Sequence, residues 1–352
     1  MSQSDATTPD RELTADPRLD PRIAAVLEMA GELAPNVTAP PLGADVQACL
    51  DYCSAFETAN SSQHDAMLAA MPAFPNVQSY TEVIEGGDGN DIALYIHKPK
   101  DQDGDIPCIV HTHGGGMVLM AASDPGFQRW RNSLAATGMV VVGVEFRNGG
   151  GRLGNHPFPA GLNDCASAVA WTHERRATLK LSSIVLSGES GGGNLALATA
   201  LKAKREGWIE YIDGVYAMCP YISGQYATQP AELATLRSND GYMLDQAMMA
   251  ALAKVYDPND EHGANPLAWP LHATPDDLSG LPPHVISVNE LDPLQDEGLA
   301  YYRKLLAAGV SAVGRTVHGT PHAGDGTFPD ITPDIYEETV NSIRGFATRI
   351  VA

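Results

Sequence analysis

The sequence predicts an α/β fold: a mainly parallel central sheet flanked by helices on both faces, with a helical cap. Three features predict it. From residue 106 onward, short continuous apolar runs alternate with helix-length stretches, as they do when strands are buried on both faces and joined by crossover helices. Residues 21–72 have a different texture, helical and free of strand-like runs. Residues 222–270 separate two of the apolar runs but contain none themselves, and a connection of that length is an insertion with a role of its own.

The elements follow in order. Residues 1–20, rich in Asp, Pro, Thr and Ser, read as an arm. Three helical patches come next: Ile23, Val26, Leu27 and Met29; then Val46, Cys49, Leu50 and Cys53; then Met67, Leu68 and Met71. Pro40-Pro41 separates the first two. Residues 78–84 and 91–97 alternate about the turn Gly86-Gly87-Asp88-Gly89-Asn90, which predicts a β-hairpin. Strands are expected at 106–110, 139–144, 184–186, 215–218 and 285–288, with a weaker one at 312–317. Helices are expected near 125–136, 160–178, 192–206, 294–308 and 333–350. The insertion carries Tyr242, Met243, Met248, Met249 and Leu252 at helical spacing, and Trp269 near its end. The organisation expected is an N-terminal arm and cap segment at 1–78, then a catalytic domain at 79–352 with a cap insertion at about 222–270.

Bulk composition narrows the function. The chain has 352 residues, 44% of them hydrophobic, enough for a sizeable core. Its net charge is -21, which repels phosphate backbones and anionic lipid surfaces. Nucleic acid and membrane partners are therefore discounted, and strongly anionic substrates are disfavoured. The N-terminus lacks a basic n-region and an apolar h-region, so it does not read as a secretory signal. No run approaches the roughly 20 apolar residues of a membrane span. The expectation is a cytoplasmic protein, with Cys49, Cys53, Cys108, Cys165 and Cys219 as buried reduced thiols. Cys49 and Cys53 share a helix face at their spacing, but two ligands do not make a zinc site. No metal is expected.

Gly188-Glu189-Ser190-Gly191-Gly192 lies between an apolar strand and a helix that begins near Asn194. Strand, tight turn and helix are what a nucleophile elbow requires. The turn strains the serine backbone, so small residues flank it, and the hydroxyl stands above the sheet edge at a helix N-terminus. Ser190 is therefore the candidate nucleophile. Outside this setting the pentapeptide would read as an ordinary glycine-rich turn.

His113-Gly114-Gly115-Gly116 directly follows the strand at 106–110. Such a loop donates backbone N–H groups to the oxyanion of an acyl-transfer intermediate. One such donor is worth about 3 kcal/mol of barrier. Gly115 and Gly116 are the expected donors from this loop, and the N–H of Gly191 the third. His111, two residues before His113, reads as strand-end packing.

A nucleophile needs a base, and the base an orienting acid, in the chain order Ser, acid, His. After the strand at 285–288 the candidate acids are Glu290, Asp292, Asp296 and Glu297. Active-site groups sit beyond the carboxyl ends of strands, which favours Asp292, just before Pro293, with Glu290 as fallback. Asp296 and Glu297 fall inside the next helix, where a solvent-facing position is expected. His262 and His272 precede the last strands and His284 begins one at the wrong sheet edge. His318 and His322 remain.

Together, His113-Gly114-Gly115-Gly116, the elbow and Asp292-Pro293-Leu294 resemble the hormone-sensitive-lipase family of α/β-hydrolase esterases, over roughly residues 80–350. The resemblance implies an α/β-hydrolase fold and a serine carboxylesterase with Asp292 as acid. It implies a histidine one helix and one strand later, roughly thirty residues on, at His322. The His-Gly pair usual in the family falls instead on His318-Gly319. Motif shape favours His318 and spacing favours His322; spacing is preferred, because the intervening helix and strand fix where the loop emerges. The expected substrate is a neutral, short- to medium-chain ester, with no cofactor, and a homodimer is an expectation by analogy. An amidase or lactonase would use the same triad. A small-molecule receptor on this fold would lack the catalytic histidine.

Overall fold

The computed structural model describes residues 12–31 and 37–350. Residues 1–11 of the expected arm lie outside the described residues. The strand-forming runs produce one eight-stranded sheet, ordered β1-β2-β4-β3-β5-β6-β7-β8. β1 (Val77–Glu85) and β2 (Asp91–Pro99) are the expected hairpin, and β2 also runs antiparallel to β4 (Val140–Val144). β3 (Ile106–Thr112), β4, β5 (Leu181–Glu189), β6 (Gly214–Met218), β7 (His284–Leu291) and β8 (Ala312–Pro321) are mutually parallel.

Side chains one apart on these strands enter opposite layers, which is why the runs are apolar throughout. Ile109, Val141, Val185 and Val285 face α3 (Pro125–Ala136) and α11 (Pro333–Arg349), where they meet Trp130, Leu134, Ile343 and Phe346. Val110, Val142, Leu186 and Ile286 face the other way, onto α4 (Ala160–Glu174), α5 (Gly191–Glu206) and α9 (Gln295–Ala307), and meet Leu162, Leu195, Tyr301 and Leu305. Each such side chain contributes about 1.5–3 kcal/mol by leaving water.

The remaining helices lie outside these layers. α1 (Pro21–Gly31) places Ile23 and the preceding Leu19 against Tyr242 and Leu291. α2 (Val46–Ala69) is one continuous helix, merging two patches that the sequence separates. It buries Cys49, Tyr52 and Cys53 in a cluster shared with Leu252 and Val255 of α7 (Gln246–Tyr256). Met29, Met67 and Leu68 stay exposed, so part of the apolar pattern in these helices marks no core. In the 222–270 interval α6 (Thr235–Ser238) precedes α7, and only an isolated bridge joins Tyr242 to Leu244. Asp245 caps α7 by accepting the Met248 N–H at 2.8 Å. α8 (Pro275–Leu278) and α10 (Gly324–Thr327) are single turns. All five cysteines are free and buried, and burial pushes the Cys53 thiol up to about 12. Among the described residues no helix is long and apolar enough to cross a membrane.

Candidate active site

Parallel strands bring their carboxyl ends to one edge, and the chemistry-bearing residues emerge there. His113 follows β3, Ser190 follows β5, Cys219 follows β6, Asp292 follows β7 and His322 follows β8. β3 and β5 are adjacent, with Thr112 paired to Gly188, so the glycine loop and the elbow lie side by side.

Ser190 has φ 56 and ψ -119, a sparsely populated backbone region that costs about 1–3 kcal/mol and persists only where the surroundings enforce it. Its N–H donates to the Met218 carbonyl at 2.9 Å, and its carbonyl accepts from Asn194 N at 3.0 Å and Tyr221 N at 3.1 Å. The buried Asn194 side chain also donates to the Tyr221 and Ala268 carbonyls, both at 2.9 Å. The elbow helix thereby ties together the two ends of the 222–270 interval. Close approach explains the glycines after the serine. A Cβ on Gly192 would collide with the Thr112 carbonyl, and one on Gly191 would lie 2.6 Å from Gly116 N and 2.5 Å from Met117 N. The glycine loop and the elbow therefore pass within contact distance of each other.

The glycine loop is held on several sides. Gly115 and Gly116 have φ 105 and 63, and Met117 and Met120 adopt left-handed φ of 61 and 70. His113 is fully buried and stacks on Phe146 with ring centroids 4.2 Å apart. Its Nδ1–H donates to the Gly114 carbonyl at 2.7 Å. Burial lowers its pKa to about 3, so the ring is neutral. Glu189 bridges elbow and loop: Oε1 accepts the Gly114 N–H at 2.9 Å and Oε2 lies 3.0 Å from His111 Nε2. His111 therefore has this specific partner beyond packing. Leu252 of α7 lies against Gly116, 2.9 Å from where a Cβ would stand.

Asp292 is fully buried, and its Oδ2 lies 2.8 Å from His322 Nδ1, while Oδ1 accepts the Leu294 N–H at 2.9 Å. Burial opposes a charge on the His322 ring, and the adjacent Asp292 carboxylate together with Cys219 outweighs it, holding the ring well above its usual 6.5. His318 points elsewhere: its side chain is 77% exposed and its Nδ1 lies 3.2 Å from Glu290 Oε2. Cys219 joins the His322 cluster. Among the described residues, the only three metal-capable side chains brought together are Cys219, Asp292 and His322, their ligand atoms within 4.8 Å of one another.

Several supporting residues escape sequence reasoning. Glu297 is buried, against the solvent-facing position expected for it. Its Oε1 accepts from Ile222 N at 2.7 Å and from the Tyr226 hydroxyl at 3.0 Å, and desolvation raises its pKa to about 7. Asp296 accepts the Thr235 N–H at 2.9 Å. Asp325 accepts from Asn289 and Thr339, both at 3.0 Å, bracing the loop beyond His322. Asn239 donates to the Asp292 carbonyl at 3.1 Å. No motif marks these residues; their common signal is only a polar residue within an otherwise apolar or turn-forming stretch.

A family model described as the alpha/beta hydrolase fold matches residues 109–324. Carboxylesterase NlhH of Mycobacterium tuberculosis is 32% identical over 238 residues, 64% of this chain and 69% of that protein. An arylesterase of Saccharolobus solfataricus is 30% identical over 220 residues, 61% of this chain and 67% of that protein. Among solved structures, brefeldin A esterase, a bacterial homologue of human hormone-sensitive lipase, superposes with a TM-score of 0.86 at 43% identity, covering 96% of this chain and 95% of its own. Esterase Est22 superposes with a TM-score of 0.86 at 36% identity, covering 96% and 99%. With this fold, this family match and these relatives, the chain belongs to the α/β-hydrolase family, in its hormone-sensitive-lipase group, and is a carboxylic ester hydrolase.

Proposed function

We propose that the chain hydrolyses neutral, short- to medium-chain carboxylic esters by two-step acyl transfer, with Ser190 as nucleophile, His322 as base and Asp292 as acid. The observation that carries this reading is the 2.8 Å contact between His322 Nδ1 and the buried Asp292 carboxylate, at the sheet edge where the strained Ser190 emerges. Asp292 fixes the tautomer with the proton on Nδ1, leaving Nε2 free to accept. His322 takes the Ser190 proton as the hydroxyl oxygen bonds to the ester carbonyl carbon. The N–H groups of Gly115, Gly116 and Gly191 hold the oxyanion. As the tetrahedral intermediate collapses, the C–O bond to the alcohol breaks and the alcohol leaves with the proton from His322. Water, deprotonated by His322, then releases the acid and frees Ser190.

The N-terminal helices and the 222–270 interval form the cap in this reading. Leu252 over Gly116 makes the wall apolar where the acyl group enters. The net charge of -21 disfavours anionic esters. Ser190→Ala is expected to abolish turnover of p-nitrophenyl butyrate while leaving the far-UV circular dichroism and melting temperature in place; full activity would sink the assignment. A p-nitrophenyl ester series graded from acetate to palmitate reads the acyl preference, and a matched p-nitroanilide separates esterase from amidase.

A further inference from the structure

We propose that Glu57, on helix α2, is a positioning residue for the oxyanion loop, so that seating the cap and forming the oxyanion hole are one event. The inference rests on the assignment of Gly115 and Gly116 as oxyanion donors. The loop from 114 to 120 is clamped at one end by Glu189, which accepts the Gly114 N–H. Its other end pairs with the segment after β4: Gly149 N donates to the Met117 carbonyl at 2.9 Å, Gly150 N to Val118 at 3.2 Å, and Asn148 Nδ2 to Met120 at 2.6 Å. The Met120 and Arg152 N–H groups face out of this pairing towards α2. Glu57 takes both, Met120 N on Oε1 and Arg152 N on Oε2, each at 2.6 Å.

The contact is built on both sides. Gly151 stands at φ 64, and a Cβ there would lie 2.6 Å from Glu57 Oε2. Only a glycine lets the carboxylate seat this deeply. On the loop side, Met117 and Met120 hold left-handed conformations that need external enforcement. On the helix side, Tyr52 and Cys53 pack in the same cluster as Met117, Val118 and Leu119. If α2 lifts away, Met120 N loses its acceptor and the loop loses the brace that holds its strained turn. Glu57 has no contact with the reacting atoms in this scheme; it acts through backbone geometry.

The test compares Glu57→Gln with wild type. Gln places an N–H group where one of the two backbone donors needs an acceptor. The expected result is a kcat about 10- to 100-fold lower, the range for a small misplacement of catalytic groups, with KM within roughly threefold. The affinity of an alkyl trifluoromethyl ketone, whose adduct with serine carries the oxyanion, should fall by the same factor as kcat/KM. A folded Glu57→Gln protein with kcat and ketone affinity within twofold of wild type would overturn the inference, as would a raised KM at unchanged kcat. Should Glu57→Gln fail to fold, Gly151→Ala pushes the same carboxylate away from the loop and must give the same paired losses; full activity and ketone affinity there overturn it equally. Failure of the underlying site assignment is separate, because it appears as a wild-type enzyme insensitive to the ketone.

Discussion

Replacing Asp292 by Asn tests the acid-base pair with almost no change of shape. Oδ1 of Asp292 accepts the Leu294 N–H at 2.9 Å, and an amide oxygen will keep that bond. The new amide N–H2 then faces His322 Nδ1 at the position of the 2.8 Å contact. Two donors cannot pair, so the ring turns its lone pair to Nδ1 and carries its proton on Nε2, the nitrogen that accepts from Ser190 in the proposed mechanism. The same exchange in another serine hydrolase lowers kcat about 10⁴-fold through the wrong tautomer, some 5.5 kcal/mol of barrier. A loss of that order is expected here. The pH profile supplies a second readout. In the wild type the Asp292 charge outweighs burial and holds the His322 ring above 6.5, so kcat/KM should rise with pH through an apparent pKa above that value. Without the charge, burial is opposed only by the neighbouring Cys219, and the acid limb of the residual activity should move to lower pH. Stopped-flow hydrolysis of p-nitrophenyl butyrate from pH 5 to 9 measures both effects. A variant within tenfold of wild-type kcat, or one whose acid limb stays in place, refutes the reasoning.

Exposure separates the two late histidines: His318→Ala removes a side chain that is 77% exposed and is expected to leave kcat near wild type, while His322→Ala abolishes measurable turnover in the same assay. Glu297 couples stability to pH. Its pKa is raised by burial to about 7 in the fold, from about 4.5. Between those values the folded state holds more protons than the unfolded state, so this group lowers stability as pH rises through the window, by about 3 kcal/mol. Glu297→Gln keeps the Oε1 acceptor for Ile222 and Tyr226, and it should gain on wild type in urea midpoint from pH 4.5 to 7; a flat difference contradicts the coupling. Leu134→Ala, in the α3 layer with no exposed surface, should cost about 2–5 kcal/mol by chemical denaturation and leave KM unaltered.

The parallel sheet was legible because burial on both faces makes each strand a continuous apolar run, as in Val140–Val144. The hairpin was legible through its turn. The helices of residues 21–72 were read less well. Met67 and Leu68 are exposed although their spacing suggests a packed stripe, because periodicity shows that an apolar face exists and not what covers it. Spacing put His322 ahead of His318, although the His-Gly pair pointed the other way. The structure gives the physical ground for the difference: β8 extends to Pro321, carrying His318 along its last residues and releasing the chain at His322 beside Asp292.

What the sequence hid has one chemical character. Glu57, Glu189, Glu297 and Asp296 act by accepting backbone N–H groups of residues far along the chain. Asn194 and Asn239 donate to distant carbonyls in the same way. A motif registers side chains that react, and periodicity registers side chains that pack. A carboxylate whose partner is a peptide group leaves no trace in either, since every non-proline residue offers the same N–H. Loops that leave a sheet edge cannot pair with neighbouring strands, so their amides need such acceptors. Of the strained residues, Met120 gives its N–H to Glu57, whereas Ser190 gives its own to the Met218 carbonyl. The proposed catalytic groups are therefore readable from the chain, whereas the groups that would hold them in place become readable only when the peptide hydrogen bonds of the loops are accounted for one by one.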